Sequence, residues 1–271
     1  MNQHHMIELD IPHLSSGLQM HLHSNQDQII SARLRAEKCW EPYETALTIQ
    51  HLKPGDVYVD VGANIGYYTL VAARCVGTTG RVISYEPDTD NFTLLNTNIA
   101  LNALPQVQCF PYALSDHNAT GKLFLSPDNF GDHRVYASPG ERHTRDITLV
   151  HGDEHLGALT QRIDFLKVDT QGAEYCVLHG LRKLLAQNRH HLRMMIEFCP
   201  YGIRHSGACG HDLVRLLETL NMQYHIIDHQ QQRLIPAEAH HLTDWVNELA
   251  DEPLNEGFIN LLVTPRHYTV D

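Results

Sequence analysis

The chain has no apolar run long enough to cross a membrane. Its longest uncharged apolar stretches, such as YYTLVAA at 67–73, fall far short of the roughly 20 residues a spanning helix needs. The opening MNQHHMIELD lacks a cationic segment followed by an apolar one, so no secretory signal is expected. Cysteine is sparse and unpatterned. Cys39, Cys75, Cys109, Cys176, Cys199 and Cys209 contain no CxxC pair, which argues against a zinc or disulfide framework and for reduced thiols in a cytoplasmic protein. Positive charge is also short: 20 Lys and Arg stand against 32 Asp and Glu, for a formal net charge of −12. That balance argues against a nucleic-acid groove, which draws most of its affinity from cationic side chains on phosphates. Repeats, low-complexity tracts and linkers are missing too. The 271 residues therefore suit one large domain with appendages.

What is present is alternation. From about residue 55 strand-like and helix-like segments follow one another, the signature of a mostly parallel sheet covered by helices. Strands are predicted at 56–61, 81–86, 107–114, 164–169, 193–198, 223–228 and 258–264, seven in all. Helices are predicted at 66–76, closed by Gly77; after an Asp88 N-cap; at about 173–187; and over Leu213–Leu220. The organisation read from this is an N-terminal strand-and-helix extension over 1–52, with Pro42 at the first position of a helix, and a main domain over 53–271. A β-rich insertion at 118–155 contains GKLFLS and DITLVHG around the polar loop SPDNFGDHRVYASPGE. The 21 histidines include pairs at His4–His5, His190–His191 and His240–His241, read as solvated surface.

The informative stretch is VDVGANIGYYTL at 59–70. A dinucleotide fingerprint needs G-x-G-x-x-G. Counted from Gly62, Asn64 and Tyr67 stand at the second and third glycines, so a pyrophosphate could not settle in the usual way. No GK[ST] follows, and Asp60 would repel a polyphosphate. A ligand with a positive charge and no phosphate suits the turn. S-adenosylmethionine is such a ligand: its ammonium can pair with Asp60, backbone N–H groups can take its carboxylate, and Glu86 can accept its ribose hydroxyls.

VDVGANIGYYTL, YEPDTDN, ALSD at 113–116 and FLKVDTQGAEYCVLHG at 165–180 together resemble the FkbM family of S-adenosylmethionine-dependent methyltransferases, over roughly residues 37–263. The resemblance implies a seven-stranded Rossmann-like sheet and methylation of hydroxyls on polyketides, sugars or lipid-linked glycans. Carried onto this chain it puts Asp60, Gly62, Ala63, Asn64 and Gly66 around the methionine moiety, Glu86 at the ribose, and Ser115 and Asp116 at the adenine. Gln171 stands where the family often has Glu.

Transfer of a methyl group to a hydroxyl needs alignment and a base for the leaving proton. Asp169, ending the fourth strand at the sheet edge where doubly wound folds bind ligands, is the first candidate for base or orienting group, with helix capping as the alternative. Lys167 shares its strand face and is expected to pair with it. Glu197, ending the fifth strand, faces either the acceptor or the packing. His133, in the cluster Asn129, Asp132, His133 and Arg134, is a second base candidate or plain loop surface. Glu174 is expected to stabilise a helix N-terminus. His151 and His155 around Asp153 are too weakly patterned to be assigned a metal. DTQG replaces the [DNS]-P-P-[aromatic] motif of nucleobase amine methyltransferases, so the acceptor is expected to be a small molecule, sugar or glycolipid. Nothing in the sequence excludes a homo-oligomer. The alternatives are an NAD-dependent oxidoreductase and a non-catalytic cofactor-binding protein.

Overall fold

A computed structural model describes residues 5–137, 142–250 and 257–269. His4 and residues 138–141 of the polar loop lie outside them. Strands β1 (His5–Glu8) and β2 (Gln19–Leu22) pair antiparallel, and α1 (Ile30–Glu37) and α2 (Pro42–His51) follow. The alternating part begins β3 (Val57–Val61), α3 (Tyr67–Val76), β4 (Arg81–Tyr85), α4 (Thr89–Leu101) and β5 (Val107–Phe110). Next come β6 (Tyr112–Ser115), β7 (Ala119–Leu125), β8 (His143–His151) and α5 (Gly152–Leu159). The chain continues through β9 (Phe165–Val168), α6 (Glu174–Gly180), α7 (Arg182–Asn188), β10 (Arg193–Phe198), α8 (Pro200–His205) and α9 (Gly210–Thr219). It closes with β11 (Met222–Asp228), β12 (Arg233–Ala237), α10 (Ala239–Ala250) and β13 (Ile259–Pro265).

The large sheet has the order β12-β11-β13-β10-β9-β3-β4-β5. Neighbouring strands from β10 to β5 are parallel, while β13 runs antiparallel to both β10 and β11. This is a Rossmann-like sheet, and strand alternation sends its side chains into two cores. Val59, Val61, Leu166, Val168, Met194 and Ile196 meet α6, α7 and α9 in one cluster. Tyr58, Phe165, Met195 and Leu262 meet Leu47 of α2 and Ala72 and Val76 of α3 in another. The central strands are nearly continuous apolar runs because both faces are covered. Asp60 and Lys167 interrupt those runs, and they are register partners across β3 and β9.

Three expectations change, and one helix was not foreseen. Among the described residues the sheet has eight strands rather than seven, because the chain after β11 turns back to add β12 at the edge. The single strand expected over 107–114 breaks at Pro111, which has no N–H to give a ladder. Its second half, β6, leaves the large sheet and joins β8 and β7 in a three-stranded sheet with the insertion. The helix expected over 173–187 is interrupted at Leu181 (φ −98°, ψ 6°), giving α6 and α7. Helix α10 carried no expectation, although Leu242 and Val246 bury against the first cluster. Asp88 does cap α4, accepting from the backbone N–H of Asp90 and Asn91 at 2.9 Å each, and Pro42 opens α2.

The N-terminal segment packs onto α3 and α4. Leu9, Leu18, Met20, Leu22 and Leu34 form one buried cluster with Ile65, Tyr67, Leu70 and Leu94. Asn98 on α4 and Asn102 at its C-terminal cap bind the backbone of β2 through their amides.

Candidate active site

A cavity of about 360 Å³ opens at the carboxyl ends of β3, β4, β9 and β10, where the strand order reverses between β3 and β9. That crevice is where open α/β sheets bind ligands. Its wall includes Asp60, Gly62, Ala63, Asn64, Glu86, Lys167, Asp169 and Glu197. The insertion supplies Phe130 and His133, and the N-terminal segment supplies Ile30, Trp40 and Glu41.

The glycine turn is shaped first by protein contacts. Gly62 has φ +85°, and a Cβ there would lie 1.8 Å from the carbonyl oxygen of Asp169, so only glycine lets β3 and β9 end this close. At Gly66 (φ +96°) a Cβ would meet Leu95 Cδ1 at 2.6 Å. Gly66 thus stands outside the lining and admits α4 against α3. Asn64 is left-handed too (φ +51°). Its amide donates to the Phe130 carbonyl at 2.9 Å, and its backbone N–H reaches Glu86 Oε2 at 2.8 Å. Glu86 Oε1 accepts from the Asp88 N–H at 2.8 Å. Burial pushes the Glu86 carboxyl up to about 8.

Asp60 is 1% exposed. Its Oδ2 accepts from the Thr69 hydroxyl at 2.6 Å, whereas Oδ1 has no hydrogen-bond partner among the described residues. A buried carboxylate oxygen left without a donor is costly, and burial raises the Asp60 pKa. A ligand cation would remove that cost.

Beyond Asp60 the carboxylates converge. Lys167 Nζ binds Asp169 Oδ2 at 2.8 Å, as strand alternation predicts, and lies 4.6 Å from the Tyr68 ring centroid. Among the described cavity residues Lys167 is the sole Lys or Arg. Although burial works against it, the Lys167 ammonium holds Asp169 below the usual carboxylate range. Glu197 is pushed well above its ordinary value by burial and by the charges of Asp169, Glu174 and Glu41. Glu41 rises to about 7, mainly through burial, and accepts the Tyr68 hydroxyl at 2.8 Å. Glu174 does more than face a helix dipole: its Oε1 takes the N–H of Thr170 and Gly172 and the Thr170 hydroxyl, at 2.9–3.1 Å, which staples the turn after β9.

Beside Gly66, two more expected positions lie away from the cavity wall, and His133 lies on it. Ser115 and Asp116 fall outside the cavity wall, which runs through Tyr112, Ala113 and Leu114 instead. Asp116 pairs with His117 at 2.7 Å and His179 at 3.2 Å, because β6 has left the large sheet and carries its end away from the crevice. His133 lines the cavity, but its Nδ1 accepts the Ser126 N–H at 3.1 Å. The neutral ring therefore carries its proton on Nε2 and presents a donor where a base was expected, and burial keeps it neutral. His155 lies among Tyr85, Phe110 and Tyr112, bonded to the Tyr85 hydroxyl at 2.9 Å.

Sequence reasoning missed Glu41, Tyr68, Thr69 and Phe130. Thr69 had a signal, one polar residue on the buried face of an apolar helix. Glu41 had none beyond its place before Pro42, since its position depends on how the N-terminal segment packs.

Fold and site together define an α/β protein whose switch-point crevice suits a small ligand carrying a cation. The family model "Methyltransferase FkbM domain" matches residues 60–246, and the chain belongs to that family. It is a methyltransferase domain. "Methyltransferase 1" of Beauveria bassiana is 28% identical over 149 residues, covering 47% of this chain and 59% of that protein. "Methyltransferase sdnD" of Sordaria araneosa is 25% identical over 185 residues, covering 57% and 68%. The crystal structure of methyltransferase FkbM from Methylobacillus flagellatus KT has 14% identity and a TM-score of 0.46, covering 89% of this chain and 56% of that one.

Proposed function

We propose that the protein is an S-adenosylmethionine-dependent O-methyltransferase acting on a hydroxyl of a small molecule, sugar or glycolipid. The observation that carries this reading is the orphaned Asp60 Oδ1 beside a cluster of carboxylates in one crevice. Asp60 Oδ1 accepts the cofactor's ammonium. The backbone of Gly62, Ala63 and Asn64 lines the methionine end, with Gly66 setting the turn, and Glu86 accepts from the ribose. The adenine meets the wall at Tyr112–Leu114, leaving Ser115 and Asp116 to the structure behind it. When bound, the cofactor supplies an electrophilic methyl carbon on a sulfonium.

The residues of the chain do the rest. Glu197, with its raised proton affinity, takes the proton from the acceptor hydroxyl. Asp169, held ionised by Lys167, orients that hydroxyl. His133 Nε2–H donates into the cavity, and Phe130 helps to exclude water.

Thermal-shift measurements with S-adenosylhomocysteine and with NADH test the cofactor assignment: the first is expected to stabilise the protein, and stabilisation by NADH alone would overturn it. Mass spectrometry of metabolite and glycolipid extracts is expected to find products heavier by one methylene. The E197Q variant should bind S-adenosylhomocysteine as the parent does while losing turnover about a hundredfold or more, the range of general-base catalysis.

A further inference from the structure

We propose that Gln171 is a positioning residue whose side-chain amide spans Asp169 and Glu197 and keeps Glu197 able to accept a proton. The inference rests on the reading of Glu197 as the base. Gln171 Nε2 donates to Asp169 Oδ1 at 2.9 Å and to Glu197 Oε2 at 2.5 Å. An ionised carboxylate only accepts, and Lys167 holds Asp169 ionised, so the amide turns its N–H donors, and not its carbonyl, toward the pair.

The geometry fits a clamp better than a fold support. Gln171 sits at φ +53°, a left-handed conformation that a side-chain-bearing residue adopts at a cost and that collects at functional sites. The turn around it is held by Glu174 through Thr170 and Gly172. Among the described residues, Gln171's side chain bonds the two carboxylates.

Charge explains why a clamp is needed. Glu197 faces Asp169 just after β9, Glu174 on α6 and Glu41 ahead of α2, with Lys167 as the opposing cation. Asp60 adds a further acid beside Lys167 and Asp169. The Lys167 ammonium is bonded to Asp169 Oδ2. These neighbours raise the proton affinity of Glu197, and the Gln171 amide acts against that rise. A neutral double donor favours its ionised form without adding another charge, the way hydrogen bonds to a carboxylate lower its pKa.

The test is a carbon-13 NMR pH titration of ligand-free protein labelled at glutamate carboxyls, with the Glu197 signal assigned by its disappearance in E197Q. Q171M keeps the side-chain length and removes both donors. It is expected to raise the Glu197 midpoint by about one pH unit, a tenfold gain in proton affinity; an unmoved or lowered midpoint overturns the proposal. Q171E, which replaces the donor with an acid of equal length, should raise it further and carries the test if Q171M does not fold. A raised midpoint in Q171M alongside full methyl transfer by E197Q leaves the clamp standing and brings down only the assignment of the base. An unmoved midpoint with weakened S-adenosylhomocysteine binding would instead make Gln171 part of the cofactor site and end the proposal.

Discussion

Asp60 is where a single atom matters most. One of its oxygens is spent on Thr69 and the other has no hydrogen-bond partner among the described residues. Replacing Asp60 by Asn keeps the shape and removes the charge that would meet an ammonium. Loss of one charge-assisted hydrogen bond, about 1.5–3 kcal/mol, predicts S-adenosylhomocysteine binding weakened roughly tenfold to a hundredfold. Calorimetric titration of D60N checks this, and unchanged affinity would place the cofactor's amino group elsewhere. Lys167 and Asp169 differ in kind from Asp60, because each satisfies the other before any ligand arrives.

At the scale of elements, the site is assembled by segments that are distant in sequence. The insertion loop is tied down at Phe130, whose carbonyl takes the amides of Asn64 at 2.9 Å and Asn91 at 3.1 Å. Asn91 also holds His23 of the N-terminal segment at 2.7 Å, so one side chain on α4 fastens both covers of the crevice. An ion pair between Arg145 on β8 and Asp88 joins the insertion to the same helix start. Truncating Asn91 to Ala should cost about 1–3 kcal/mol by leaving buried partners unmet. Faster amide hydrogen exchange over residues 126–134 is the expected local sign; exchange that rises evenly over the whole chain would mean the covers are not fastened there.

Over the whole molecule, several buried carboxyls bind protons more tightly folded than unfolded. Glu41 and Glu174 are raised to about 7 and Glu86 to about 8, in each case chiefly by burial. A raised acid stabilises the fold fully below its unfolded pKa, and that contribution is lost as pH climbs through the folded value. The ligand-free protein should therefore lose stability from about pH 4.5 up to about pH 8 through these groups. His51 acts in the opposite sense: burial lowers it to about 4, so its contribution is present above its ordinary value and disappears as pH falls toward 4. Thermal unfolding followed across pH 4–9 checks the balance, with Glu86→Gln expected to flatten the alkaline side. Among the described residues, no helix is long and apolar enough to cross a membrane.

The central strands and the glycine turn were legible from sequence alone. Buried parallel strands are apolar on both faces, and Asp60 and Lys167 stand in them as charged exceptions. The close strand ends at Gly62 admit no other residue, which is why that turn could be recognised locally. The tertiary structure decided what local pattern does not encode. Pro111 ended one strand's pairing but could not say which sheet would receive the next, and that choice moved Ser115 and Asp116 out of the crevice. Glu41 reached the acid cluster, and His133 gave its Nδ1 to a backbone donor, through packing between segments far apart in the chain. Proton affinities followed the same route, because burial and neighbouring charge exist only once those segments have met.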